Sequence, residues 1–107
     1  MKTIYISGKI SGVDPKLSEQ NFSQAEEKLK KLGFKVVNPM TLKHNHDKSW
    51  ESFMREDIKA LMKCDAIYML DGWVQSRGAW IEKELSEDLK FDVYFETKTD
   101  EENDFKI

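Results

Sequence analysis

The feature that most constrains the fold is a repeated change in apolar periodicity along the chain. Short β-branched or aromatic runs, typical of strands, occur at 3–7, 34–37, 66–70 and 91–95. Between them, apolar residues recur at helical spacing over 16–32, 50–62 and 76–90. The order β-α-β-α-β-α-β predicts an α/β domain with a parallel sheet, helices on both faces and right-handed crossovers.

The most economical arrangement is a three-layer α-β-α fold of the flavodoxin-like type, with about four to five strands in the order 2-1-3-4. Ligands of such sheets bind beyond the carboxyl ends of the strands, where the strand order reverses. In this sequence that edge would be built by residues 7–12, 38–41 and 71–78. Residues able to do chemistry are therefore expected in these segments and in the helices beside them.

The length of 107 residues predicts one domain, which we place at 1–96, followed by a polar acidic tail at 97–107. The composition of this tail suggests that it stays mobile or docks on another subunit. The single cysteine, Cys64, forms no intrachain disulfide and fits a reducing compartment. No segment has the pattern of a signal peptide or a membrane span, so we expect a cytoplasmic protein without a membrane partner.

Charge is unevenly distributed between the two halves of the chain. The net charge is −3, which argues against binding a nucleic-acid polymer. Residues 1–50 contain nine Lys and five acidic residues, whereas residues 51–107 contain eight Lys or Arg and fifteen acidic residues. A small anionic ligand is therefore compatible with basic groups from the first half and carboxylates from the second.

Two acidic residues interrupt the apolar stripes of predicted helices. Asp57 lies four residues after Phe53 and four before Leu61, and Glu82 lies four residues after Gly78. A carboxylate that is buried without a partner costs several kcal/mol. Either acid, taken alone, is therefore explained by a position at the edge of its apolar stripe, where it reaches solvent, or by hydrogen bonds to the backbone. Together they indicate two carboxylates that face one pocket. Enzymes that cleave glycosidic bonds typically need at least such a pair.

Two loops at the predicted ligand edge contain small and polar residues. The first carries Ser7, Gly8 and Lys9, but it lacks the glycine and lysine spacing of a Walker A loop. It is compatible with a tight structural turn or with a ribose or phosphate site. The second has Ser76 as a helix cap, which creates an anion-binding N-terminus. Its other candidate ligand-binding residues are Asp71, Trp73, Arg77 and Gly78.

The segment His44-Asn45-His46-Asp47 is the one local cluster of metal-ligand residue types. Two histidines and an aspartate in a polar loop without sustained periodicity more often have no ligand than bind a metal. We therefore predict no metal site and assign these residues no role.

Several motifs jointly resemble the nucleoside 2-deoxyribosyltransferase-like superfamily, in particular its small uncharacterised bacterial and phage domains of the DUF4406 type. The motifs are Tyr-Ile-Ser-Gly-Lys-Ile-Ser-Gly at 5–12, Val-Asn-Pro at 37–39, Met-Arg-Glu-Asp-Ile at 54–58, Cys-Asp-Ala-Ile-Tyr-Met-Leu-Asp-Gly-Trp at 64–73 and Ser-Arg-Gly-Ala-x-x-Glu at 76–82. The resemblance spans about residues 3–95. It departs at 82–86, where Glu-Lys-Glu-Leu-Ser replaces the Glu-x-Gly-x-Ala that is common in relatives.

The resemblance implies roles for individual residues. Glu82 corresponds to the catalytic nucleophile, and Asp57 to an acid that assists at the base or sugar. Tyr5, Ser7 and Gly8 correspond to the sugar site. Ser76 corresponds to the group that holds the 5′-hydroxyl or 5′-phosphate. Relatives are homo-oligomers, so a dimer or larger assembly is also implied.

The leading functional hypothesis is an enzyme that acts on the N-glycosidic bond of a nucleoside or nucleoside monophosphate, either a deoxyribosyltransferase or a hydrolase, through a Glu nucleophile. It requires no redox cofactor and no metal. The alternative is a noncatalytic module of the same fold that binds or senses a nucleotide. A phospho-receiver is disfavoured because Ser7, Gly8 and Lys9 follow the first strand, where receivers need acids.

Overall fold

The computed structural model describes all 107 residues and has one four-stranded, fully parallel sheet in the order β2-β1-β3-β4. The strands are β1 (Thr3–Ser7), β2 (Lys35–Val37), β3 (Ala66–Met69) and β4 (Asp92–Phe95). The helices are α1 (Pro15–Lys31), α2 (Trp50–Leu61), α3 (Arg77–Asp88) and α4 (Asp100–Asn103), with 3₁₀ turns at Pro39–Thr41 and Trp73–Gln75. The predicted three-layer fold and strand order are confirmed. No helix combines the length and apolar character that crossing a membrane requires.

Side-chain hydroxyl and carboxylate caps set where the main helices begin. The Asp14 carboxylate accepts from the amide of Lys16, and Pro15 occupies the first turn of α1. Ser49 caps α2, and Ser76 caps α3 by accepting a hydrogen bond from the amide of Ala79 at 3.1 Å. The start of α3, which lies at the predicted ligand edge, is thus fixed by a local sequence signal.

The alternation of side chains along β1 divides the core into two layers. Ile4 and Ile6 pack with Phe22 and Leu29 of α1 on one face of the sheet. Tyr5 belongs to the layer on the other face, which α2 and α3 cover. Ser7 shares the face of Tyr5 because it lies two residues further along the strand. This face is the one that carries the candidate site.

The C-terminal tail packs on its own domain and is not the free segment that its polar composition suggested, while docking on another subunit stays a prediction. Asn103 is buried, accepts from the amide of Phe95 and donates to the carbonyl of Phe95, both at 2.9 Å. The Phe105 ring packs against Phe34 and Tyr94, with centroids 5.9 and 4.5 Å apart. These contacts satisfy backbone groups of the edge strand β4 and extend the apolar core.

Candidate active site

A cavity of about 440 Å³ opens beside the carboxyl end of β1, between the sheet face, α2 and the start of α3. This is the edge at which parallel sheets bind ligands. Part of its wall consists of predicted site residues, namely Tyr5, Ser7, Gly8, Asp57, Ser76, Gly78 and Glu82. The rest is mainly apolar, and α1, the first 3₁₀ turn and α2 contribute part of it. One concave site therefore unites parts of the chain that lie far apart in sequence.

Glu82 lines this cavity and is only 5% exposed. Ser7 Oγ donates a hydrogen bond to Oε1 at 2.6 Å, and Tyr5 OH donates to Oε2 at 2.7 Å. Both distances are typical of strong hydroxyl-to-carboxylate hydrogen bonds. Each carboxylate oxygen thus has its own donor, and the two donors come from alternate residues of one strand. The orientation of the Glu82 carboxylate is consequently fixed by the sheet.

Burial raises the pKa of Glu82 to about 7, because the ionised carboxylate loses hydration. The hydrogen bonds from Ser7 and Tyr5 lower this pKa, and the nearby Asp57 raises it. The pKa of Tyr5 is itself raised well above its usual range, by burial and by the charge of Glu82. Tyr5 therefore stays protonated and remains a donor while Glu82 changes its charge state near neutral pH.

Asp57 faces the same cavity from α2, with a side chain that is 14% exposed. Its Oδ1 atom is buried and has no hydrogen-bond partner. Burial raises the pKa of Asp57 to about 6, while His44 opposes this shift and Glu56 adds to it. The two acids therefore share one pocket and neither points outward into bulk water. Their pKa values lie where proton transfer at neutral pH is most effective.

Gly78 allows α3 to pack closely against α2 at the cavity. A Cβ atom at this position would lie 2.8 Å from the sulfur of Met54, well inside van der Waals contact. Glu82 follows Gly78 by about one helical turn, and Asp57 follows Met54 by three residues. Close packing at Gly78 and Met54 therefore brings the two acids toward the same pocket.

Four of the predicted ligand-binding residues do not line the cavity, namely Lys9, Asp71, Trp73 and Arg77. The Trp73 ring packs against Trp80 and Phe95, with centroids 4.6 and 6.1 Å apart, because it covers part of the core. The Arg77 guanidinium lies 4.6 Å from the ring centroid of Trp50, which does line the cavity. Arg77 thus supports one wall of the cavity from outside.

Sequence reasoning missed several residues of the wall. His44 lines the cavity, and its Nε2 lies 3.9 Å from Asp57 Oδ1. Lys48, from the same segment, is also at the wall. The apolar residues of the wall include Phe22, Met40, Trp50, Phe53 and Met54. The proximity of two histidines to the start of α2 was the available signal, but their loop has no periodicity that would indicate where they point.

Comparisons with known proteins identify the family of the chain and its fold. The family model described as "Domain of unknown function (DUF4406)" matches residues 2–95. The chain belongs to this family. A search of curated proteins finds no match. A solved structure of 2-deoxyribosyltransferase from the psychrotolerant bacterium Bacillus psychrosaccharolyticus is similar, with a TM-score of 0.64 and 23% identity over 87% of this chain and 70% of that chain. This DUF4406 domain thus has a deoxyribosyltransferase-like fold, as its motifs indicate.

Proposed function

We propose that this protein cleaves the N-glycosidic bond of a nucleoside or nucleoside 5′-monophosphate, with Glu82 as nucleophile and Asp57 as proton donor and acceptor. The observation that carries the proposal is the Glu82 carboxylate, which is buried at a ligand-sized cavity and held by one hydroxyl on each oxygen. A purely structural acid needs no cavity and no second acid beside it. The similarity to a 2-deoxyribosyltransferase directs the choice of substrate class.

In the first step, a Glu82 oxygen forms a bond to the anomeric carbon while the bond from that carbon to the base nitrogen breaks. The electron pair of the broken bond goes to the base, and protonated Asp57 supplies a proton to it. In the second step, water or another base attacks the same carbon while the bond from that carbon to the Glu82 oxygen breaks and its electron pair returns to the carboxylate. The attacking group passes its proton to Asp57, so both acids regain their starting states. Two displacements at one carbon give net retention of configuration.

The neutral donors Tyr5 and Ser7 suit this scheme because they orient the Glu82 carboxylate without adding charge to the site. We assign the sugar to the part of the cavity lined by Tyr5, Ser7 and Gly8. We assign its 5′ group to Ser76, since a capped helix N-terminus favours an oxyanion. Lys9, Asp71, Trp73 and Arg77 are left out of the proposed site because they do not line the cavity.

The test incubates the purified protein with a panel of nucleosides and nucleoside monophosphates and measures the free base released, with and without a second base. Glu82→Ala is expected to abolish release. Glu84→Ala is the matched control, because Glu84 is an exposed acid on the same helix. A 2′-fluoro-arabinonucleoside, which slows both steps, should leave a sugar adduct on the peptide that contains Glu82.

Equal release of base by wild type and Glu82→Ala would remove Glu82 from the mechanism. Ligand-dependent stabilisation without any base release would favour the alternative, a module that binds a nucleotide without turnover. Both outcomes contradict the proposal, and they do so in distinguishable ways.

We also propose that the chain acts as a homodimer or larger assembly. Val74 is 56% exposed and Trp80 is 42% exposed, and the indole Nε1 of Trp80 donates to the carbonyl of Val74 at 2.8 Å. These adjacent apolar groups on one surface favour burial against a second copy. Sedimentation equilibrium of wild type and of Val74→Asp tests this. The variant is expected to have a lower molar mass in solution than wild type, and a monomeric wild type would contradict the proposal.

A further inference from the structure

We propose that His44 and His46 are positioning residues that hold a neutral hydrogen-bond donor against Asp57, so that Asp57 is oriented and its anion is stabilised after it gives up a proton. This inference rests on the function proposed above. It assigns a role to the segment between the first 3₁₀ turn and α2, for which the composition suggested none. Three independent features of that segment and of Asp57 support it.

The first feature is the order of hydrogen bonds, which determines where each imidazole carries its proton. The backbone amide of Lys48 donates to His46 Nδ1 at 3.0 Å, so that nitrogen must be unprotonated. Neutral His46 therefore carries its proton on Nε2, which lies 3.1 Å from His44 Nδ1 and donates to it. His44 in turn must carry its proton on Nε2, the nitrogen 3.9 Å from Asp57 Oδ1. One backbone amide thus selects the tautomers of both rings.

The same order excludes a proton wire through the pair. If His44 passed its Nε2 proton to Asp57 and drew another from His46, His46 would need a proton at Nδ1. That nitrogen is occupied by a backbone amide, which cannot release its own proton. The pair therefore serves to orient and stabilise Asp57, and the proton exchanged with substrate belongs to Asp57.

The second feature is the rigidity of the segment. Lys48 has a φ of 65°, a left-handed conformation that is unusual for a residue with a side chain and that typically persists at functional sites. Its ammonium donates to the carbonyl of His44. The Phe53 ring packs edge-on against both imidazoles, with centroid distances of 4.7 Å to each. Backbone conformation, hydrogen bonding and aromatic packing all hold the histidine pair beside α2.

The third feature is the unpartnered Oδ1 of Asp57. This atom is buried and lacks a hydrogen bond, and the Nε2 proton of His44 faces it at a distance about 1 Å too long for one. A buried acceptor without a donor is rare in proteins. A small inward shift of the segment upon ligand binding would complete the bond and close the cavity wall that His44 forms.

The other charged or titratable groups around Asp57 do not substitute for His44. Glu82 from α3 and Tyr5 from β1 both interact with the charge of Asp57, and Glu56 of its own helix raises its pKa. Lys48 lines the same cavity, but its ammonium bonds to the His44 carbonyl. A neutral imidazole that donates to a carboxylate stabilises its anion, so the loss of His44 should be visible in the titration of Asp57.

The test follows the Asp57 carboxyl by carbon-13 NMR in protein labelled at aspartate, with Asp57→Asn used to assign the resonance. His44→Phe keeps a ring of similar shape and removes the donor, so it should raise the pKa of Asp57 above its wild-type value of about 6. His44→Gln keeps an N–H donor and should leave that pKa close to wild type. His46→Phe should shift it in the same direction as His44→Phe, because the His44 tautomer is no longer selected.

Kinetics give a second readout with the same variants. The value of kcat/KM should fall about 10-fold in His44→Phe, less than the roughly 100-fold or greater loss typical of removing a general acid. It should recover in His44→Gln to within about 3-fold of wild type, and the basic limb of its pH profile should shift with the pKa of Asp57, because Asp57 must be protonated in the first step. Asn45→Ala is the matched control, since Asn45 is exposed and lies between the two histidines.

An unchanged pKa of Asp57 in both His44→Phe and His46→Phe would overturn this inference, whatever the activity. If either variant fails to fold, the other supplies the same comparison. A shifted pKa in a wild-type protein that processes no nucleoside would instead refute the proposed function and leave the donor assignment intact. The NMR experiment requires no turnover, so the two failures are distinguishable.

Discussion

Replacing Glu82 with glutamine is expected to stabilise the protein increasingly as the pH rises. Burial raises the pKa of Glu82 from an ordinary 4.5 to about 7. Between these two pH values the folded state therefore keeps a proton that the unfolded state has released. For an acid with a raised folded pKa, stability is greatest below about pH 4.5. It falls as the pH rises toward 7 and is constant above that range.

The size of this effect follows from the shift itself. At about 1.4 kcal/mol per pKa unit, ionising Glu82 in its buried site costs about 3 kcal/mol of unfolding free energy at pH 8 and almost nothing at pH 4. Glutamine is neutral at every pH and removes this dependence. Its amide also forces one of the hydroxyls of Tyr5 and Ser7 to reorient, which adds an offset that does not vary with pH.

The assay is urea unfolding of wild type, Glu82→Gln and the exposed-site control Glu84→Gln at several pH values from 4 to 8.5. The stability difference between Glu82→Gln and wild type should increase by about 3 kcal/mol across this range, while Glu84→Gln should follow wild type. A difference that stays constant with pH, or that falls as the pH rises, would refute the assignment of Glu82 as an acid destabilised by burial.

Three further substitutions test separate contacts. Tyr5→Phe removes a hydroxyl that lowers the pKa of Glu82, so carboxyl NMR should find that pKa above about 7; no change would contradict the hydrogen bond. Asn103→Ala leaves the amide of Phe95 without a partner, while the Phe95 carbonyl still accepts from the amide of Lys98, and should cost about 1–3 kcal/mol in urea unfolding; a neutral result would mean that the tail is not docked. Phe105→Ala should cost about 2 kcal/mol, below the range for a fully buried ring because Phe105 is partly exposed; its thermal melt should shift accordingly.

The fold was predictable because its signals are local and repeated. Each strand and each of the three long helices has its own periodicity, and parallel crossovers leave few ways to arrange four strands. The same logic located Glu82, since a carboxylate on an apolar helical stripe conflicts with its surroundings. Asp57 follows from the same conflict on α2. For both residues the signal lies within about one helical turn of sequence.

The parts that were not predictable depend on contacts between distant segments. Composition alone described the tail as polar, whereas Asn103 and Phe105 anchor it through partners that periodicity does not reveal. Trp73 follows a turn and was assigned to ligand binding, yet its ring covers the core beside Phe95. The His44 and His46 pair gains significance only from the folded position of Asp57, which no local pattern in their loop specifies.

The site and the core are coupled through the register of β1. Ile4 and Ile6 fill the core beneath α1, while the alternate residues Tyr5 and Ser7 provide both donors to Glu82 on the opposite face. A slip of β1 by one residue against its neighbours would turn the apolar pair away from α1 toward the opposite face and would also leave the buried carboxylate without donors. Selection for a packed core therefore also maintains the geometry of the Glu82 site. The free energy that this strand contributes to folding offsets the cost of keeping an ionisable acid buried at its end.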